Sequence, residues 1–208
     1  MKNKKIIGLT GLYAAGKNHA AGFLEKKGLA VLDADKLGHK VIETEKNRIA
    51  ARFGRDILGE NGQIDRKILG TKVFGRREEL AALEEIIHPC VDREILTWID
   101  SRQEKACVIN AALLHRSGAL ELLDAVIIVE APFLIRLFRA RKRDKLPWTI
   151  LLKRFRSQKE INYQYYAGKT DIYRVDNSVK SKNPICANSG EKKLENRINE
   201  ILSLLGIT

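Results

Sequence analysis

The sequence holds only three cysteines and four histidines in 208 residues. Cys90, Cys107 and Cys186 are odd in number, far apart and not spaced like metal ligands, which excludes a disulfide framework and a thiolate metal site. They read as ordinary thiols of a reducing compartment. The histidines are equally scattered, so no zinc site is expected. Long apolar runs are missing too, since no stretch approaches the roughly 18 residues that a membrane-spanning helix needs. Behind the basic start Met1-Lys2-Asn3-Lys4-Lys5 the apolar run is too short for a secretory signal, so the expected location is the cytoplasm. Acid is scarce in one place above all. Between Arg136 and Lys159 ten basic residues face a single acid, Asp144, which puts +9 of the net +12 into one short region. A field so concentrated attracts phosphates, on a small ligand or along a nucleic acid.

What is present is enough apolar material, 44% of residues, for one good-sized core. Lys5–Thr10 reads as a buried strand, followed by a glycine-bearing turn and a helix from about Gly16 to Lys27, closed by Gly28. Ala30–Leu32 is a second strand ending at Asp33. Ala106–Asn110 and Ala125–Val129 are two more buried runs, and Ile172–Val175 is a weaker fifth. Between them, Leu80, Leu83 and Ile87 share a helical face, and Val91, Ile95 and Trp98 continue it beyond Pro89, where proline is expected to break or kink the helix. Leu194, Ile198, Ile201 and Leu205 form a last amphipathic stripe. The polar stretch Ser178–Gly190 reads as a surface loop. Strands alternating with helices predict an α/β fold, a mainly parallel sheet covered on both faces.

Gly11-Leu12-Tyr13-Ala14-Ala15-Gly16-Lys17 satisfies G-x-x-x-x-G-K, directly after a strand and before a helix. Glycines let the backbone wrap a phosphate closely, successive N–H groups point inward, and the helix N-terminus adds partial positive charge. Lys17 is expected to reach the β- and γ-phosphates. The motif calls next for Ser or Thr, whose hydroxyl ligates Mg²⁺, and this chain has Asn18. An amide oxygen is a legitimate ligand for a hard cation, so Asn18 is the candidate metal residue. The alternative is a site that binds nucleotide with impaired turnover.

Further segments resemble those of the dephospho-coenzyme A kinase family. Val31-Leu32-Asp33-Ala34-Asp35 leads into a helix as that family's second strand does, and Leu83 to His88-Pro89 resembles its Leu-x-x-x-x-His-Pro element. Arg136–Arg143 and Arg154–Gln158 resemble its basic lid, and Val175-Asp176-Asn177 its last strand. Order and spacing agree from Ile6 to about Asn177. The chain departs from the family at Asn18, at His19, where a small residue is usual, and at Ala112-Leu113-Leu114-His115-Arg116, where Arg116 stands in place of a carboxylate. The resemblance implies a P-loop NTPase three-layer fold with a five-stranded parallel sheet. It places the core at about 1–35, 104–131 and 170–208, a helical substrate lobe at about 36–103 and a basic lid at about 132–169. The implied reaction is phosphate transfer from ATP, with Mg²⁺, to the ribose 3′-hydroxyl of dephospho-coenzyme A. Within it Gly11, Ala14, Ala15, Gly16, Lys17, Asn18, His19, Arg139 and Asn177 would hold ATP.

Asp33 can take the proton of the attacking hydroxyl or simply cap the next helix, and Asp35 can contact substrate or cap equally well. Arg136, Arg139 and Arg143 sit at i, i+3 and i+7, so a helix puts them on one face, with Leu134, Leu137 and Phe138 mostly on the other. That face reads as phosphate-binding, with Arg136 toward substrate and Arg143 catalytic, because a guanidinium fork donates to two phosphate oxygens at once. Pro147 starts a second helix, and such a pair could open and close over the site. His88 is open between a kink and a substrate contact. Tyr163, Tyr165 and Tyr166 are open between base stacking and packing. Two competing functions remain at this level: a kinase for another nucleoside or nucleotide, and a basic module that binds nucleic acid without catalysis.

Overall fold

The computed structural model describes residues 4–112, 114, 118–157, 166, 168, 170–178 and 184–207. Five strands form one sheet: β1 (Lys5–Gly11), β2 (Ala30–Asp33), β3 (Ala106–Asn110), β4 (Ala125–Glu130) and β5 (Asp171–Asp176). Their order is β2-β3-β1-β4-β5. β1 is parallel to both neighbours, with Leu9 level with Asn110 of β3 and with Ile127 of β4, and β4 is parallel to β5. The central strands are apolar in nearly every position because both faces of a parallel sheet are covered. All five residues of β3 and the first five of β4 are buried.

Among the described residues eight α-helices accompany the sheet: α1 (Lys17–Lys26), α2 (Ala34–Thr44), α3 (Lys46–Phe53), α4 (Arg66–Val73), α5 (Arg77–Asp100), α6 (Phe133–Asp144), α7 (Trp148–Ser157) and α8 (Pro184–Leu204). The chain divides into two compact units. One comprises residues 1–32, 102–116 and 120–208, and the other residues 33–101 and 117–119. In the first, Ala20, Ala21 and Leu24 of α1 and Leu194, Ile198 and Ile201 of α8 cover one face of the sheet around Ile7, Leu9, Val108 and Ile127. The second has its own core, in which Ile49, Phe53, Ile57, Leu69, Val73 and Leu83 pack together.

Two expectations change. The polar stretch 178–190 is not all loop, because α8 starts at Pro184. Polarity determines which residues meet water, not whether the backbone is helical, and proline is suited to a first helical position. Helix α5 also runs through Pro89 without a break. Proline removes only its own N–H, which would have bonded to Glu85, and both residues are exposed, so that carbonyl is open to water. In α6 Arg136 turns inward, only 8% exposed, whereas Leu134 is 63% and Phe138 68% exposed.

Candidate active site

The sheet order reverses at β1, whose successors run to one side and then to the other. Ligands of open α/β sheets bind at this switch point, outside the carboxyl ends of the strands. Residues Gly11–Gly16 occupy it. Ala14 (φ 60°) and Gly16 (φ 102°) both adopt left-handed backbone, a conformation found in anion-binding turns. For Ala14 this conformation is strained, by roughly 1–2 kcal/mol, and such strain is typical of ligand clamps. Gly11 is required by space, since a Cβ there would lie 2.7 Å from the Val129 carbonyl oxygen. At Gly16 a Cβ would lie 2.1 Å from the Asn177 amide nitrogen, so that position needs glycine for room as well as for its φ. Lys17 opens α1 and is half-buried at the helix N-terminus.

The loop is braced by side chains from the far end of the chain. Asn177 Nδ2 donates to the Ala15 carbonyl at 2.8 Å, and Arg139 Nη1 donates to the same oxygen at 3.2 Å. Arg139 Nη2 reaches the Asn177 carbonyl at 2.9 Å, closing a small network. Arg136 Nε donates to the Ala131 carbonyl at 3.0 Å and its Nη1 to the Tyr13 carbonyl at 3.4 Å. Its guanidinium lies over the Phe155 ring, 5.2 Å from the centroid. Burial draws both guanidiniums below their ordinary pKa, and the Asp176 carboxylate partly offsets this for Arg139. These two cations therefore spend donors on carbonyls of the protein itself.

Arg143 differs. Its side chain is 59% exposed, with Nε 2.7 Å from Asp144 Oδ1, and that carboxylate raises its pKa. With Ala14, Gly16, Arg139 and Lys142 it lines a cavity of 470 Å³ beside the loop. A cavity of this size, walled by backbone and cations, suits a phosphorylated small molecule.

Asn18 is exposed, and its amide oxygen accepts from Asn110 Nδ2 at 3.3 Å. Asn110 ends β3, is 3% exposed, and its own Oδ1 is a buried oxygen with no hydrogen-bond partner in the structure. Sequence reading missed Asn110, although a polar residue closing an otherwise apolar strand was a usable signal. It also missed Tyr13, whose hydroxyl donates to Asp144 and whose ring packs edge-on against Phe155 at 5.1 Å. His19 is exposed at the start of α1 and stacks edge-on with Phe23 at 4.9 Å.

Asp33, Asp35 and His88 belong to the second unit. Asp33 is the N-cap of α2, where its Oδ1 accepts from the Lys36 amide at 3.0 Å. Its Oδ2 lies 3.5 Å from Lys36 Nζ, and its side chain remains 26% exposed. Asp35 is exposed in the first turn of α2, and His88 is half-buried in α5. Arg116, Gln158, Tyr163 and Tyr165 lie outside the described residues, whereas Tyr166 is buried at 1% exposure, as packing requires. Among the described residues Cys90 and Cys107 are free thiols, and no cluster of His, Cys, Asp or Glu could hold a metal ion. No described helix is long and apolar enough to cross a membrane.

Comparison with known proteins points one way. The dephospho-CoA kinase family matches residues 5–180. A dephospho-CoA kinase of Dehalococcoides mccartyi is 35% identical over 159 residues, covering 74% of this chain and 80% of the relative. That of Borrelia garinii subsp. bavariensis is 31% identical over 204 residues, 97% of each. The solved dephospho-CoA kinase from Campylobacter jejuni superimposes with a TM-score of 0.65 at 26% identity, over 97% of this chain and 98% of that one. With a phosphate loop at the switch point, arginine braces behind it and this likeness along nearly the whole length, the chain belongs to the dephospho-CoA kinase family.

Proposed function

We propose that this protein transfers the γ-phosphate of ATP to the ribose 3′-hydroxyl of dephospho-coenzyme A, giving coenzyme A and ADP in the cytoplasm. The observation that carries the reading is the phosphate loop. Ala14 and Gly16 are left-handed, as anion-binding turns require, and Lys17 follows at the helix N-terminus. The backbone from Gly11 to His19 cradles the phosphates, and Lys17 reaches the β- and γ-oxygens. Arg139 and Asn177 keep the loop in shape and border the nucleotide. Arg143, exposed at the cavity, meets the charge that redistributes during transfer.

Asp33 is the proposed general base. Capping occupies its Oδ1, and its partly exposed Oδ2 can take the proton of the ribose hydroxyl. Asp35 and His88 are the proposed substrate contacts; Arg136, expected toward the substrate, acts on the loop through the carbonyl it holds.

The donor set fits a hard cation. Asn18 offers one amide oxygen and Asn110 a second that is buried and unspent. Both are neutral, so affinity for Mg²⁺ would come mainly from the nucleotide phosphates. Bound there, Mg²⁺ would help to offset the negative charge of the phosphates.

The test is ADP release with dephospho-coenzyme A, AMP, UMP, cytidine or no acceptor. Turnover with dephospho-coenzyme A alone is expected. A preference for a nucleoside or nucleotide would change the substrate, and no turnover with any acceptor would sink the kinase reading. Asp33→Asn should keep ATP affinity while turnover falls by ~10²–10⁴-fold. Lost stability with normal turnover per folded molecule would leave Asp33 a helix cap only.

A further inference from the structure

The basic stretch contains one acid, and the phosphate loop contains one aromatic residue. Although 131 positions apart, the two are hydrogen-bonded, Tyr13 donating its hydroxyl to Asp144 Oδ2. The same carboxylate accepts two bonds from Arg143, Nε to Oδ1 at 2.7 Å and Nη2 to Oδ2 at 3.2 Å. Arg154 Nη1 stands 3.6 Å from it and 3.4 Å from the Tyr13 hydroxyl. The Arg143 guanidinium also lies over the Tyr13 ring, 5.3 Å from the centroid.

We propose that Tyr13 and Asp144 are positioning residues that clamp the Arg143 guanidinium at the mouth of the phosphate loop. The inference rests on the reading of Arg143 as the residue that meets the transferring phosphate. Asp144 takes one edge of the fork and the Tyr13 ring takes one face, which fixes both the position and the plane of the group. Two of the five N–H donors are spent on Asp144, which leaves others for phosphate oxygens. Tyr13 is itself held, by the Phe155 ring at 5.1 Å and by Arg136 Nη1 on its carbonyl at 3.4 Å. The clamp therefore starts on the loop that grips the phosphates, so the loop sets where the arginine waits.

Stability is a poor explanation for this arrangement. Arg143 is 59% exposed although Asp144 is only 16% exposed, and screening on the arginine side limits what the pair adds to folding. Geometry is where the pair matters, since an arginine placed before the reaction costs no reordering when charge moves. A rival account makes Asp144 a competitor that holds Arg143 away from phosphate. The two accounts predict opposite signs.

The experiment compares Tyr13→Phe, Asp144→Asn, Arg143→Ala and the double variant Tyr13→Phe/Arg143→Ala in steady-state kinetics with ATP and dephospho-coenzyme A. Melting temperatures confirm folding, and phenylalanine keeps the ring contacts while removing only the hydroxyl. Tyr13→Phe and Asp144→Asn should each lower kcat by about 5–50-fold with both KM values within about twofold, because the loss falls on the transition state. Asp144→Glu should recover part of that loss. In the Arg143→Ala background Tyr13→Phe should have no further effect, as expected of a residue acting through another. Normal kcat in both single clamp variants beside an impaired Arg143→Ala overturns the clamp and leaves the role of Arg143 standing. Normal kcat in Arg143→Ala overturns that role and the clamp with it. Independent, multiplying losses, or a raised kcat in Asp144→Asn, also overturn the clamp, the last in favour of the competitor.

Discussion

The two ends of α6 carry the same residue type and do different things with it. Toward the N-terminus Arg136 is buried and Arg139 half-buried against the phosphate loop, and they donate to the carbonyls of Tyr13, Ala15, Ala131 and Asn177. At the C-terminal end Arg143 is mostly exposed and shares a carboxylate with Tyr13. The first pair is structural scaffolding for a loop whose backbone is strained. The last is a charge held at the edge of a cavity. A helical register puts all three on one side, but burial assigns their roles, because a desolvated guanidinium must have its donors satisfied by the protein. The outward turn of Leu134 and Phe138 follows from the same choice, since the face of α6 that meets the loop is the polar one.

If this division is right, its largest mark is on catalysis. Arg143→Ala should lower kcat by about 10²–10³-fold, by analogy with other preorganised charge stabilisers, and leave the melting temperature nearly unchanged. Steady-state kinetics beside a thermal melt checks both halves, and a strong loss of stability with normal kcat would reverse the assignment. Arg136→Ala should do the opposite. It leaves two carbonyls short of a charged donor and removes the group stacked on Phe155, so unfolding free energy in urea should fall by about 2–3 kcal/mol. A stable Arg136→Ala protein with greatly reduced turnover would place that residue among the phosphate ligands instead.

Arg139→Ala sharpens the contrast because this residue belongs to both groups, bracing Ala15 while lining the cavity. A moderate loss, about 1–2 kcal/mol, and a KM for ATP raised severalfold are expected. An effect on kcat as large as that of Arg143→Ala would erase the boundary between the two ends. Asn18→Ser should have the smallest effect. Activity should stay within about threefold of the parent or rise, with the preference shifted toward Mg²⁺ over Mn²⁺, because a hydroxyl suits the tight Mg²⁺ shell better than an amide does. Rates with each cation across a concentration series measure this. A severe loss would show that the Asn18–Asn110 contact has a role the serine cannot replace.

Much of the fold was legible in the sequence, for a local reason. The strands at 106–110 and 125–130 are continuous apolar runs, and such runs mark a sheet buried on both sides whatever surrounds them. The phosphate loop was legible because its spacing and the left-handed φ at Gly16 are local features, although the close approach that requires Gly11 comes from Val129 of the neighbouring strand. The start of α8 was less legible. Its first turns hold Asn188, Ser189 and Gly190, which are weak helix formers, and the apolar stripe begins only at Leu194.

By itself the sequence determined where β1 ends and α1 begins, and that the turn between them is built for phosphate, since both depend on neighbours within a few residues. It also determined that positive charge gathers at residues 136–159. Only the tertiary structure decided which of those charges are spent. Arg136 reaches the Tyr13 carbonyl 123 positions away, and Asn177 reaches Ala15 across 162. No periodicity encodes partners at such separations; they meet because the sheet order puts β1 between β3 and β4 and brings the ends of distant strands together. Asn110 beside Asn18 and Asp144 beside Tyr13 arise in the same way, as products of topology and burial rather than of any local pattern.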